Sequence, residues 1–352
     1  MGVTWKSHGV YYTIYQFDSD IRDKVNELSE SDNFHAPLAW AEDIAWIAAS
    51  IALVLIVSWW FYPLAVLVIG ARQRGLSTIL HDCSHGSGAA NKRLQMFIGT
   101  ALTAYPIFQQ HYAYKASHVF THHPLLGDPE RDPDFRFFME QKAYALTSRR
   151  RYLTRVVLYP ALGSQTLAYL RYLVRNRWRM LRKPSALSGP PVPQKKRLLD
   201  RCGFWLFWLA VFGLAFWQGQ VANLILFWFV PYLTSFQILG WYIELSEHTP
   251  MVRDQEVDLY MTRNRRSRGL EKWLTGIHCD DYHLDHHLNP RTPFWKLPEA
   301  RKIRLADPNY AAVDAKTGGL FTKGPQGQPS ALSQIVRALS SKKREDAGCV
   351  SS

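Results

Sequence analysis

Cysteine is scarce in this chain, four residues in 352. Cys83, Cys202, Cys279 and Cys349 follow no C-x-x-C spacing, which argues against a disulfide framework and fits a working side that faces a reducing compartment. Acidic residues are also few, 29 against 42 Lys and Arg, for a net charge of +13. A basic balance suits nucleic acid, anionic lipid or an acidic protein partner. No nucleic-acid-binding motif accompanies it, so no nucleic-acid partner is expected and the membrane readings lead. The N-terminus lacks a basic region followed by an apolar core, and Lys6 stands where a myristoylation signal needs Ser or Thr, so neither a cleaved signal peptide nor that lipid is expected.

Charge of either sign is missing from two long stretches. Ile44 to Ala71 runs 28 residues without Asp, Glu, Lys or Arg, and Cys202 to Ile243 runs 42. One helix needs about 20 apolar residues to cross a bilayer. Pro63, behind the Trp59-Trp60-Phe61-Tyr62 aromatic group, marks one turn at an interface, and Gln218-Gly219-Gln220 marks another. The pattern predicts an all-α, multi-pass membrane protein with four transmembrane helices, at about 42–60, 63–80, 202–217 and 221–243, arranged as two hairpins. A cytoplasmic segment, 1–41, would precede a membrane domain of 42–305, and a loosely ordered tail, 306–352, would follow. Leu94 to Gln110, interrupted by Pro106, is too short for a crossing and reads as re-entrant or interfacial. Residues 141–201 carry 15 Lys or Arg against one acidic residue, Asp200, which makes them cytoplasmic and suits helices lying on a lipid surface; 185–193 is a proline-rich loop. Each hairpin returns to the side it entered, so the segments that follow share a cytoplasmic cap.

Those segments hold the histidines. Eight of 13 fall in three compact boxes: HDCSH with His81 and His85, HVFTHH with His118, His122 and His123, and HLDHH with His283, His286 and His287. Residues i, i+3 and i+4 share one helix face, so each box can aim its imidazoles at one locus. Eight imidazoles exceed what one metal takes, and neighbours such as His122/His123 and His286/His287 point about 100° apart, so each can serve a different metal. Imidazole binds iron, zinc, copper and nickel alike, so spacing alone does not name the metal. Asp82, Asp280, Asp281 and Asp285 lie near enough to orient the rings. His111 and His278 stand outside the spacing and are not expected to be ligands. Arg72 and Arg74, within the second span, are functional candidates because charge inside a span is expensive; at most one of them can face the site, where its guanidinium would clamp an anionic substrate group.

The motifs HDCSHGS, HVFTHH…GDPERDPDF and DDYHLDHHLNPRTPFWKLP resemble the three histidine boxes, with their flanks, of the membrane fatty acid desaturase superfamily, which also holds hydroxylases and carotenoid ketolases. The resemblance covers about residues 42–305 and implies a non-haem centre of two iron ions that activates O₂ and removes hydrogen from an unactivated C–H bond. It implies iron bound by His81, His85, His118, His122, His123, His283, His286 and His287, with His248 at the place of a further histidine ligand. Glu244, one turn before His248, stands where acyl-CoA desaturases carry an asparagine that reaches iron through water, so a carboxylate there departs from the pattern and is a candidate catalytic group. The resemblance implies a fatty acyl chain or related small molecule as substrate, amino-acid-like metabolites included, with hydroxylation and ring ketolation as the alternative outcomes. No H-P-G-G haem box is present, so electrons are expected from a separate ferredoxin- or cytochrome b5-type protein, with membrane lipid as the other partner. A metal carrier is the reading from another class, but carriers place ligands near the membrane midplane, whereas these follow each hairpin at one face.

Overall fold

The computed structural model describes residues 11–178 and 192–340; the proline-rich loop expected at 185–193 lies outside them except for its last two residues. Regular structure among the described residues is helical, and strand-like pairing is limited to two isolated bridges, Thr13 with Val257 and Thr147 with Ser340. Among the described residues, three helices are long and apolar enough to cross a membrane: α1 (His35–Val57), α3 (Gln194–Trp217) and α4 (Val221–Asp254). The fourth expected span corresponds to α2 (Tyr62–His85), 24 residues long. Its length suffices, but Arg72, Arg74 and the polar last turns keep it out of that class by composition. Pro63 opens α2 where no intrahelical N–H bond is needed, and Gly86, at φ 93°, closes it in the left-handed conformation that glycine adopts freely.

The two hairpins turn at the same end of the bundle. The Tyr62 hydroxyl donates to the Leu226 carbonyl at 2.9 Å, and the Trp59 and Phe227 rings lie 6.0 Å apart. Trp60, Phe216 and Trp217 there are at least four-fifths exposed, an apolar surface that water disfavours and that a bilayer interface accommodates. His81, His85 and His248 close the opposite ends of α2 and of the Ser235–His248 part of α4. Leu94–Gln110 forms a broken helix that inserts between α3 and α4 and returns. At the break the Trp208 and Trp228 indoles donate to the carbonyls of Tyr105 and Pro106, at 3.0 and 2.8 Å, which satisfies backbone freed from the helix. α1 packs closely on α2 because Gly75 has no side chain; a Cβ there would sit 2.4 Å from the Asp43 carboxylate.

The tail departs from expectation. Residues 306–340 were expected to be loose for want of an apolar period, yet they form α7 (Pro308–Asp314) and the Ala331–Leu339 helix and bury Tyr310, Leu320, Ile335 and Leu339. What fixes α7 is polar. The carboxylate of Asp285, on α5 (His283–Leu288), is fully buried and accepts from the Arg304 guanidinium (2.6 Å), the Tyr310 hydroxyl (2.7 Å) and the Asn264 amide (2.7 Å). Arg304 closes α6 (Leu297–Arg304), so the third box, its flank and the tail form one unit. Burial pushes the Asp285 carboxyl up from the usual range, and Arg304 opposes that shift. Arg304→Ala strands a buried charge and should cost about 3–5 kcal/mol. Tyr310→Phe, which removes one hydrogen bond, should cost about 1–2 kcal/mol. Thermal unfolding of the detergent-solubilised variants checks this order.

Candidate metal centre

The first box occupies the last turn of α2, where His81 and His85 are one turn apart and share a face. The second box is not α-helical. His111–Ser117 is an α-helix, but it widens over His118–His122 into a π-turn, with the His123 N–H bonding the His118 carbonyl at 3.1 Å. Such wide turns occur often at functional sites. The extra residue per turn sets His118 between its neighbours, its ring 5.1 Å from that of His122 and 4.7 Å from that of His123. The third box is α5, held from behind by Asp285.

The imidazoles gather into two groups. In one, single ring nitrogens of His81, His85, His118, His123 and His286 all lie within 4.8 Å of one another. In the other, His122, His248 and His287 do the same, and His283 joins them with Nε2 3.0 Å from that of His248 and 3.1 Å from that of His287. The adjacent pairs are divided, His123 with His286 in the first group and His122 with His287 in the second. The 100° offset of an α-helix separates His286 from His287, and the widened turn separates His122 from His123. Across the first group His123 Nε2 lies 3.1 Å from His118 Nε2 and 3.2 Å from His286 Nε2. Two nitrogens bound at about 2.0–2.1 Å to one metal are about 3.0–3.4 Å apart, so these spacings fit shared coordination. The buried Nε2 atoms of His81 and His85 make no hydrogen bond, an unmet demand that a cation at the centre of the first group would meet. Burial, reinforced by neighbouring imidazoles, pushes His123, His283, His286 and His287 well below the ordinary histidine range, so they are neutral donors at neutral pH.

Carboxylates set the rings from outside. Asp82 contacts His81 Nδ1 at 3.1 Å and accepts the Phe294 N–H at 2.7 Å. Asp132, fully buried, contacts His122 Nδ1 at 3.0 Å and also accepts N–H groups of Gly127, Asp134 and Phe135. Glu247 lies 3.7 Å from His283 Nδ1. The other acidic residues expected to orient rings do something else: Asp285 ties the tail, Asp280 pairs with Arg265 at 2.8 Å, and Asp281 faces Lys272 at 3.4 Å. Asp132 and Glu247 are the residues missed by sequence reasoning. The acidic run behind the second box was the available signal for Asp132, and the one-residue offset from His248 concealed Glu247. His111 bonds the Gly99 carbonyl and His278 bonds Asp43, both away from the two groups.

A cavity enclosing about 1150 Å³ of space, part of it open to solvent, runs along the histidines. Glu244, expected to reach a metal, lines it but pairs with Arg74 at 2.9 Å; the carboxylate grouped with His248 and His283 is that of Glu247. Arg72, two residues from Arg74, faces the other way. It donates to the Trp273 carbonyl at 3.0 Å, stacks over the Trp273 ring at 4.5 Å and lies 3.5 Å from Asp43, so it lies outside the cavity and cannot contact a substrate there.

Comparison with known proteins agrees with this geometry. The family model for fatty acid desaturase matches residues 57–316. The chain is 46% identical over 331 residues to a dihydrorhizobitoxine desaturase of Bradyrhizobium elkanii, covering 94% of this chain and 92% of that one. It is 28% identical to the chloroplastic sn-2 acyl-lipid omega-3 desaturase (ferredoxin) of Helianthus annuus, over 74% of this chain and 62% of that one. It is 27% identical to the endoplasmic-reticulum acyl-lipid omega-3 desaturase (cytochrome b5) of Arabidopsis thaliana, over 74% of this chain and 67% of that one. With three histidine boxes brought to one locus and a desaturase match over most of its length, the chain belongs to the fatty acid desaturase family and is an oxidoreductase of that kind.

Proposed function

We propose that the protein is a membrane di-iron desaturase whose substrate is a small polar metabolite rather than a lipid-borne acyl chain. The carrying observation is the near full-length match, on both chains, to a desaturase named for dihydrorhizobitoxine, while the acyl-lipid relatives match at under 30% identity. Iron would be held by His81, His85, His118, His123 and His286 at one position and by His122, His248, His283 and His287 at the other. The donor set, imidazole throughout, suits iron. When bound, the two iron ions supply the O₂-activating chemistry, with two electrons from an external ferredoxin- or cytochrome b5-type protein. The chain's own residues do the rest. Asp82 and Asp132 fix the rings of His81 and His122 through Nδ1, Glu247 stands 3.7 Å from Nδ1 of His283, and the cavity walls hold the reacting carbons against the histidines.

Four spans are proposed, α2 included, with the histidine side in the cytoplasm. Two features support this: both hairpin turns lie at the end away from the histidines, and the basic residues of 141–201 follow the positive-inside rule. Of the two arginines flagged in the sequence, Arg74 would meet the substrate and Arg72 would serve as a clip between α1, α2 and Trp273.

Purified protein should hold about two iron per chain, since nine imidazoles exceed the three or four ligands of a single site. His122→Ala should lose one of them and all turnover while the protein still inserts; stoichiometric zinc with full activity in protein from its native host would sink the assignment. Asp132→Asn keeps the shape but weakens the hold on His122, and should lower iron affinity by about 10–100-fold in a metal titration. Metabolite and lipid profiling of a deletion strain against its parent tests the substrate: accumulation of a small polar compound is expected, and a changed fatty acid profile alone would reject it.

A further inference from the structure

We infer that Gln109 reads an uncharged hydrogen-bonding group, a hydroxyl, on the part of the substrate that passes beside the first histidine box. This rests on the desaturase reading above and names the residue by which the cavity tells a polar metabolite from a hydrocarbon chain.

Gln109 stands at the returning end of the Leu94–Gln110 segment and lines the cavity that runs along the histidines. It is 4% exposed, and its side-chain amide makes no hydrogen bond among the described residues. Oε1 is shut off from solvent, so Nε2 is the end that reaches the cavity. Buried amides nearly always find a partner inside the protein, and one that does not calls for a ligand or a function. The backbone is shaped to present it. Phe108 has φ 60°, a left-handed conformation costly for a residue with a side chain. Its ring stacks on Trp208 of α3 at 4.3 Å and lies 4.7 Å from that of Tyr232 of α4, while its neighbours Ile107 and Gln109 line the cavity. The Gln109 N–H bonds the Ala104 carbonyl at 2.8 Å, which fixes the tip that carries the amide.

Leu76 and Leu80 of α2 share a buried cluster with Ile107, which holds this tip against the α2 turn before His81. The same turn lines the cavity with Ser77 and Thr78, whose hydroxyls donate to the carbonyls of Gln73 and Arg74 at 3.5 and 3.3 Å. Each hydroxyl gives its proton to its own helix and keeps lone pairs with which to accept. The wall at this level therefore offers one amide donor and two hydroxyl acceptors, all uncharged. A hydroxyl, which accepts and donates at once, matches them. Ser77 and Thr78 precede His81 by one turn, about 5 Å of helix, so a group held here lies a few bonds from the carbons nearest the histidines. A hydrocarbon chain passing the same point would displace the water that serves the amide and give no bond in return. A site with such a polar group left unpaired discriminates strongly against the plain chain.

The test is calorimetry on full-length, iron-loaded protein in detergent with two pairs of water-soluble probes, L-2-aminobutyrate against L-homoserine and L-norvaline against 5-hydroxy-L-norvaline. Within a pair the head and the carbon chain are the same, and only a terminal hydroxyl differs. At least one hydroxylated probe should bind about tenfold more tightly than its partner. Gln109→Met, which keeps the length of the side chain and removes the amide, should cut that preference to roughly threefold or less. It should also bind the plain partner at least as well as the wild type does, a gain that misfolding cannot produce. Because the amide has no partner inside the protein, Gln109→Met and Gln109→Leu should keep their iron and unfold at no lower temperature than the wild type. A preference that survives in Gln109→Met overturns the proposal, and so does early unfolding of both variants, which would make the amide a structural group. Equal binding within both pairs rejects the role of Gln109 and leaves the small-metabolite reading standing. Iron-loaded protein that binds laurate and none of the four amino acids rejects both. Protein that shows the expected preference but holds no iron keeps the role of Gln109 and rejects the di-iron assignment.

Discussion

Nine imidazoles facing one another are the constraint that the rest of the molecule serves. Nitrogens of neighbouring rings sit 3.0–3.2 Å apart, a distance at which two lone pairs repel unless a proton or a cation stands between them. A second proton on each ring is no answer here, because burial keeps the inner histidines uncharged. Where a carboxylate takes the Nδ1 side, as at His81 and His122, the Nε2 lone pair is left for a cation. The fold therefore has to hold neutral rings in mutual opposition. It does so with carboxylates outside the cluster and by carrying the rings on separate elements: the end of α2, a widened turn, the end of α4 and α5. No single helix could supply that arrangement, since one face offers only one row of side chains.

The sequence was most informative where a periodic rule met a residue type with few other uses. The three boxes and the turns at Pro63 and Gln218–Gln220 were legible because histidine clustering and uncharged runs have few explanations. The division of His286/His287 between two groups followed from α-helix geometry, and His122/His123 divide likewise on a widened turn that the sequence did not announce. What stayed hidden depended on contacts between distant segments. Glu244 and Glu247 are three residues apart, and only the packing of α2 against α4 decides that Arg74 takes the former while the latter stands by His283. Asp285 looked like a ring-orienting group because of its neighbours in sequence, yet its partners come from residues 264, 304 and 310. The tail reads as loose where polar anchoring fixes α7, whereas Leu332, Ile335, Val336 and Leu339 carry an apolar helical period that the sequence reading passed over.

Charges inside the helical bundle follow the same logic of local compensation. Asp43 is fully buried on α1, and it is tolerated because His278 reaches it at 2.8 Å, Arg72 lies 3.5 Å away, and Gly75 leaves room for the carboxylate. His278 and Cys279 adopt left-handed backbone, φ 52° and 61°, an arrangement rare for residues with side chains and sustained here by the His278–Asp43 hydrogen bond and by Arg72 against Trp273. The segment leading into the third box is thereby pinned to the first hairpin.

The dependence of α5 on α7 also has a bearing on the order of events during synthesis. Six residues are too few for a helix to persist alone, so His283, His286 and His287 take their places only once Tyr310 and Asp314 exist to hold them. Both hairpins and the first two boxes will by then have left the ribosome. The two histidine groups are thus completed late in the life of the nascent chain, and the rings made earliest wait for those made near the end.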